Sequence, residues 1–194
     1  MFGYLEGKLV DLSPTHTYLD VGGVGYEIQL TLHTYEAISG KESCKLYTHL
    51  QIREDAWVLY GFATESEKSA FQRLLSVSGV GSATARILLS SLSANDLNAI
   101  VWNGDSKALE KVKGIGAKTA QRIILELKGK LPEAVPGEFN TLPHNTKEND
   151  TLNALLGLGI GKAVAEAAVK KAKALAANED ISVEEWIKSA LKNL

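Results

Sequence analysis

Apolar and polar residues alternate along the first third of the chain and then change period. Residues 2–10, 17–21, 25–30, 45–50 and 56–62 each read in steps of two, the spacing of strands with one face in a core. Gly22 and Gly23 mark a corner between two of them. Five short strands with glycine-rich corners predict a small closed barrel of the oligonucleotide/oligosaccharide-binding type, the OB fold. From about Ser66 the apolar period becomes helical, and the switch predicts a domain boundary near Ala63.

Within the helical stretch one unit occurs twice, thirty-five residues apart. Val77-Ser78-Gly79-Val80-Gly81-Ser82-Ala83-Thr84-Ala85 matches Val112-Lys113-Gly114-Ile115-Gly116-Ala117-Lys118-Thr119-Ala120. The flanks agree as well, since Leu74, Leu88 and Leu92 align with Leu109, Ile123 and Leu127. Each copy reads as a helix, a glycine-apolar-glycine turn and a second helix that starts on small residues. Such a turn leaves successive backbone N–H groups unpaired at a helix N-terminus, where they bind phosphate oxygens without reading bases. Tight helix packing is the alternative role for these glycines. Duplication in register, with Lys113, Lys118 and Arg122 around the second copy, favours phosphate. The predicted contacts are Gly79, Val80, Gly81 and Ser82 in the first hairpin, and Gly114, Ile115, Gly116, Lys118, Thr119 and Arg122 in the second. Only the second copy has a lysine inside the turn, so it is expected to grip harder.

Charge supports that placement only when divided along the chain. The 194 residues carry 21 Lys and Arg against 23 Asp and Glu, a net −2. Residues 1–62 hold four basic against eight acidic side chains, whereas residues 63–131 hold ten against six. Basic charge thus gathers where the hairpins are, as attraction to a polyanion requires. The barrel's acidity includes Glu54 and Asp55, at the expected tip between the last two strands. A solvated turn is the plain reading of that pair. Catalytic carboxylates binding Mg²⁺ are the sharper one, but they would need a further acidic cluster that the sequence does not offer; such a tip can also repel phosphates, which matters only if it faces DNA.

Proline, glycine, asparagine and acidic residues dominate residues 132–149, which predicts a flexible linker. Residues 150–194 read as a small three-helix, UBA-like module. Asn149 or Asp150 is expected to cap its first helix, the second runs through residues 163–169, and Ser182 opens the third with a capping box to Glu185. Leu155, Leu156, Leu158 and Ile160 are more apolar residues than one short helix and its turn readily bury, so a partner-docking role is expected for some, with an all-core role the alternative. The predicted architecture is multidomain α+β: residues 1–63 an OB barrel, 64–131 a tandem helix-hairpin-helix domain, 132–149 a linker and 150–194 the helical module.

Several chemistries are excluded. Neither Gly157–Lys162 nor Gly116-Ala117-Lys118-Thr119 completes a Gly-x4-Gly-Lys-Ser/Thr nucleotide loop. His16, His33, His49 and His144 lack metal-ligand spacing, and the single Cys44 permits neither an internal disulfide nor a zinc site. No cofactor or metal is predicted. No apolar run reaches membrane-spanning length, the N-terminus lacks signal-peptide blocks, and one cysteine suits a reducing cytoplasm.

An acidic five-stranded barrel, paired helix-hairpin-helix motifs, a linker and a small helical module together resemble the RuvA family, the Holliday-junction-binding subunits of bacterial RuvAB branch-migration complexes. The resemblance covers the whole chain. Its most specific segments are Val21-Gly22-Gly23-Val24-Gly25-Tyr26-Glu27, Arg53-Glu54-Asp55-Ala56, Leu59-Tyr60-Gly61-Phe62, Gly79-Val80-Gly81 and Gly114-Ile115-Gly116-Ala117-Lys118-Thr119-Ala120. The first hairpin departs from the pattern by lacking a lysine at Ala83. The resemblance implies four copies in a flat fourfold plate, or an octamer of two such plates, with hairpin amides on the phosphates of each DNA arm. It implies that Glu54 and Asp55 form an acidic pin at the plate's centre, and that the C-terminal module docks the hexameric ATPase RuvB. The resolvase RuvC is a further partner it allows. The implied setting is cytoplasmic recombination, repair and the SOS response, with no catalysis by the chain itself. Helix-hairpin-helix pairs also occur in DNA glycosylases, ligases and nuclease subunits, but no catalytic lysine–aspartate arrangement accompanies them here.

Overall fold

The computed structural model describes residues 2–128, 147–175 and 182–192. It divides into two compact units, Met1–Val135 and Pro136–Leu194.

In the first unit, β1 (Tyr4–Leu12), β2 (His16–Val21), β3 (Val24–Leu30), β4 (Ser43–Ile52) and β5 (Trp57–Phe62) form a closed barrel in the order β1-β2-β3-β5-β4. All neighbours are antiparallel except β3 and β5, which run parallel with Gln29 opposite Tyr60. The alternating pattern puts Leu5, Leu19, Ile28, Leu30, Leu46 and Leu59 inside the barrel. A short helix, α1 (Leu32–Ile38), which the alternation does not reveal, joins β3 to β4 and drops Ile38 into the same core. Thr31 caps it by accepting from the Thr34 N–H at 3.1 Å.

Helices α2 (Glu65–Leu75), α3 (Ser82–Ser91), α4 (Ala94–Asn103), α5 (Ser106–Glu110) and α6 (Ala117–Leu127) follow. Strand β5 serves two cores. Its Leu59 faces the barrel, while Tyr60 and Phe62 join Phe71, Leu74, Leu88, Leu97, Leu109, Ile123 and Leu127 among the helices. Phe71 is fully buried, with ring centroids 5.0 Å from Tyr60 and 4.9 Å from Phe62. A polar strut reinforces the seam: Thr31 and Thr34 both donate to the buried carboxylate of Glu67, and Thr34 Oγ1 accepts from the Ala63 N–H at 3.0 Å.

The second unit holds α7 (Lys147–Gly157), α8 (Lys162–Leu175) and α9 (Val183–Lys192) around Leu155, Ala165, Ala168, Val169, Ala172 and Ala190. Helix α7 begins earlier than expected, so Asn149 and Asp150 lie inside it and cannot be its cap. Residues 147–149 of the expected linker are therefore helical, and residues 132–146 lie outside the described residues. The capping box of the third helix is present, with the Ser182 N–H donating to Glu185 Oε2 at 3.0 Å and the Glu185 N–H to Ser182 Oγ at 3.3 Å. Among the described residues, no helix is long and apolar enough to cross a membrane.

Candidate nucleic-acid interface

The repeated sequence folds twice into the same turn. In the first copy the Val77 N–H donates to Leu74 O at 3.1 Å, Val80 to Val77 at 3.0 Å and Ala85 to Gly81 at 2.9 Å. In the second, Val112 donates to Leu109 at 3.0 Å, Ile115 to Val112 at 3.1 Å and Ala120 to Gly116 at 2.9 Å. The first glycine of each turn has positive φ, 87° at Gly79 and 89° at Gly114, a conformation that disfavours any residue with a Cβ. The central Val80 and Ile115 are buried and pin the turn to the helical core. The leading helix of the second copy, α5, has only five residues and packs on α4, an element the repeat alone does not single out.

The second glycines answer the packing alternative. Gly81 and Gly116 have extended backbones, φ −90° and −89°, which any residue adopts. A Cβ built on either would meet nothing within 4 Å. Nothing among the described residues therefore demands glycine there, and the open space leaves room for a close approach from outside. These two residues are also the N-caps of α3 and α6, and neither helix has a side-chain cap. The other four helices of the first unit are capped by Thr31, Thr64, Ser93 and Asp105. Among the described residues of this unit, uncapped N–H groups and the positive end of the dipole are thus left at only two helix starts, the two behind the glycine turns.

Side chains divide unevenly between the hairpins. Gly114, Gly116, Ala117 and Lys118 are exposed, and Thr119 is half-buried. Lys113 and Lys118 make no hydrogen bond or ion pair among the described residues. Arg122 belongs to the second copy's helix, yet its Nη1 lies 3.8 Å from where a Cβ on Gly79 would stand. It therefore serves the neighbourhood of the first turn. Ser82 departs from expectation: it is only 1% exposed, its hydroxyl accepting from Arg53 Nη2 at 3.1 Å. The small side chain at the head of α3 is packed inward, so it offers little to a ligand. Glu126 Oε2 accepts from the Ser78 N–H at 3.4 Å and occupies one amide of the first turn.

Glu54 and Asp55 form the tip of the β4–β5 hairpin, closed by the Arg53 N–H donating to Ala56 O at 2.9 Å. Both carboxylates are exposed. Below them Ile52 pairs with Trp57, and both side chains are exposed where the hairpin runs past the end of the barrel. Arg53 reaches from the hairpin to Ser82 of α3. That bond joins the acidic tip to the first hairpin, and the sequence pattern does not reveal it because it links residues 29 apart. Among the described residues, no group of three or more His, Cys, Asp or Glu side chains is arranged to hold a metal.

Comparison with known proteins is consistent along the chain. Residues 1–61 match the RuvA N terminal domain, 71–130 the SAM-like helix-hairpin-helix tandem, and 146–194 the RuvA C-terminal domain. The chain is 42% identical to the Holliday junction branch migration complex subunit RuvA of Christiangramia forsetii over the full length of both. It is 42% identical to that of Flavobacterium psychrophilum, again over both full lengths, and 41% identical to that of Chromobacterium violaceum over all of this chain and 98% of the relative. The chain belongs to the RuvA family.

The RuvA C-terminal match covers the unit expected to carry docking residues, and the structure sorts them. Leu155 is fully buried in the three-helix core and is not available to a partner; it shares that core with Ala165 and Ala168 of α8. Ile160 packs partly against the same core. Leu156 and Leu158 are exposed, Leu158 at 64%, and Val164 of α8 is a further exposed apolar residue that the sequence pattern does not single out. In this RuvA-family chain the OB barrel, helix-hairpin-helix tandem and C-terminal helical domain follow one another in order.

Proposed function

We propose that this chain binds four-way DNA junctions by their shape, as the non-catalytic junction-binding subunit of a branch-migration complex. The observation that carries the reading is the pair of uncapped helix N-termini behind Gly79–Gly81 and Gly114–Gly116, in a chain whose full-length relatives are named Holliday junction branch migration complex subunit RuvA. Backbone amides of both turns, with Lys118, Thr119 and Arg122, hold phosphate oxygens of one DNA arm without regard to sequence. Glu54 and Asp55 act as the pin. At about 4 Å in water each carboxylate–phosphate pair costs about 1 kcal/mol, enough to bias separated strands away from re-pairing across the crossover.

In this reading the barrel and pin occupy residues 1–63, the DNA-gripping tandem 64–131, a tether 132–146 and a motor-docking module 147–194. Four copies surround the junction as a plate, alone or as two stacked plates. The motor is the hexameric ATPase RuvB, met through Leu156, Leu158 and Ile160 of the C-terminal module, and RuvC resolves the product. The complex works in the cytoplasm during recombination and repair, including the SOS response. Comparing binding to four-way, linear duplex and single-stranded DNA, with native mass measured alongside, tests the proposal. Preference for the four-way form by an oligomer supports it; equal binding to all three removes it.

A further inference from the structure

We propose that Arg53 is a phosphate-binding cation of the first hairpin, supplied from the barrel side in place of the lysine that the turn itself lacks. The inference rests on the junction-binding reading above and assigns a residue to it. The two turns agree in hydrogen bonding and in their glycines, but the second places Lys118 where the first has Ala83. An uncapped N-terminus with no lysine inside its own turn would bind phosphate more weakly than its twin unless other elements supply the charge.

Arg53 stands where that cation is missing. It follows β4, and its Nη2 donates to Ser82 Oγ at 3.1 Å, at the first residue of α3, and to Gln51 Oε1 at 3.3 Å. Those two bonds use one nitrogen of a guanidinium that has five N–H groups. Nε and Nη1 have no partner among the described residues, and Arg53 is exposed. Although Glu54 and Asp55 are its chain neighbours, neither forms an ion pair with it, so its charge is not neutralised locally. The bond to Ser82 fixes the planar fork beside the amides of α3, the preorganised geometry that suits a phosphodiester's paired oxygens. Ser82, being buried, holds the guanidinium without competing for the ligand.

With Arg122 reaching the same turn from α6, the first hairpin draws both cations from other elements. On this proposal the two hairpins grip a phosphate nearly equally. The arrangement also sets attraction and repulsion side by side: Arg53 takes a phosphate next to the two carboxylates that turn one away.

The test compares the unaltered full-length protein with Arg53→Gln, Arg53→Lys and the double change Arg53→Gln with Ala83→Lys. Equilibrium affinity for a fixed four-way junction is measured across salt concentrations, with thermal unfolding of each variant. Arg53→Gln is expected to weaken binding about tenfold and flatten the log–log salt dependence by about 0.9 for each phosphate no longer neutralised. Arg53→Lys retains the slope, and Ala83→Lys restores most of the affinity in the double variant. Unchanged affinity and slope in a folded Arg53→Gln protein overturn the proposal. So does a weakening that Ala83→Lys fails to restore, since Arg53 would then act only by positioning the pin. If bulky changes at Gly114 and Gly116 also leave binding intact, the junction reading itself fails.

Discussion

Thr34 donates its hydroxyl to Glu67 at 2.8 Å, across the seam between the barrel and the helices. The carboxylate is buried, and Thr31, the cap of α1, donates to its other oxygen. Glu67 also sits in the first turn of α2, where its own N–H donates to the Thr64 cap at 3.2 Å. One side chain thus ties the first turn of α2 to the end of the barrel that carries α1.

Removing it should cost stability before it costs binding chemistry. Glu67→Ala leaves two buried hydroxyls without an acceptor, and bonds to charged groups contribute about 1.5–3 kcal/mol each. A drop of roughly 2–4 kcal/mol in urea unfolding is expected, with Glu67→Gln losing less because an amide oxygen still accepts. A Glu67→Ala protein as stable as the parent would show that the strut is dispensable.

The four hairpin glycines should separate into two classes. Gly79→Ala and Gly114→Ala force a Cβ onto positive φ and should each destabilise the fold by about 1 kcal/mol or more. Gly81→Ala and Gly116→Ala meet no strain and open space, so the free protein should lose less than about 1 kcal/mol, the scale of an N-cap change. Junction affinity should nevertheless fall about tenfold or more for both classes. Full affinity in the Gly81→Ala and Gly116→Ala proteins would return those glycines to a packing role.

Neutralising the pin should act in the opposite sense. Glu54→Gln with Asp55→Asn removes two exposed charges and should preserve or tighten DNA binding while relaxing the preference for four-way over linear DNA. Strand-exchange rate with the motor present should change as well. Loss of binding in that variant would contradict the repulsive role.

In the C-terminal unit, Leu155→Ala should empty a fully buried position and cost about 2–5 kcal/mol, visible as loss of helical signal from α7, α8 and α9. Leu158→Ala, at an exposed site, should leave folding intact and weaken recruitment of the motor several-fold. Equal effects of the two changes on folding would undo that distinction.

Much of this is legible in the chain because two signals are local. Each strand keeps one face in a core, so alternation locates all five, and duplication in register locates both hairpins. Helix α1 escapes because its seven residues are held by Thr31 and Thr34 reaching Glu67, 36 and 33 residues away. Leu155 and Leu156 cannot be told apart in the sequence, since only the packing of α7 against α8 and α9 decides which neighbour faces inward. Arg53 lies beside a recognisable acidic pair, and only the fold brings its guanidinium to the head of α3.

The central claim is that the free amides at the heads of α3 and α6 hold the DNA backbone. Amide NMR of the full-length protein, titrated with a four-way junction, tests it most directly. Gly81, Ala83, Gly116, Ala117 and Lys118 are expected to show the largest amide shifts, ahead of the barrel strands. Saturated junction binding with those resonances unmoved would contradict it.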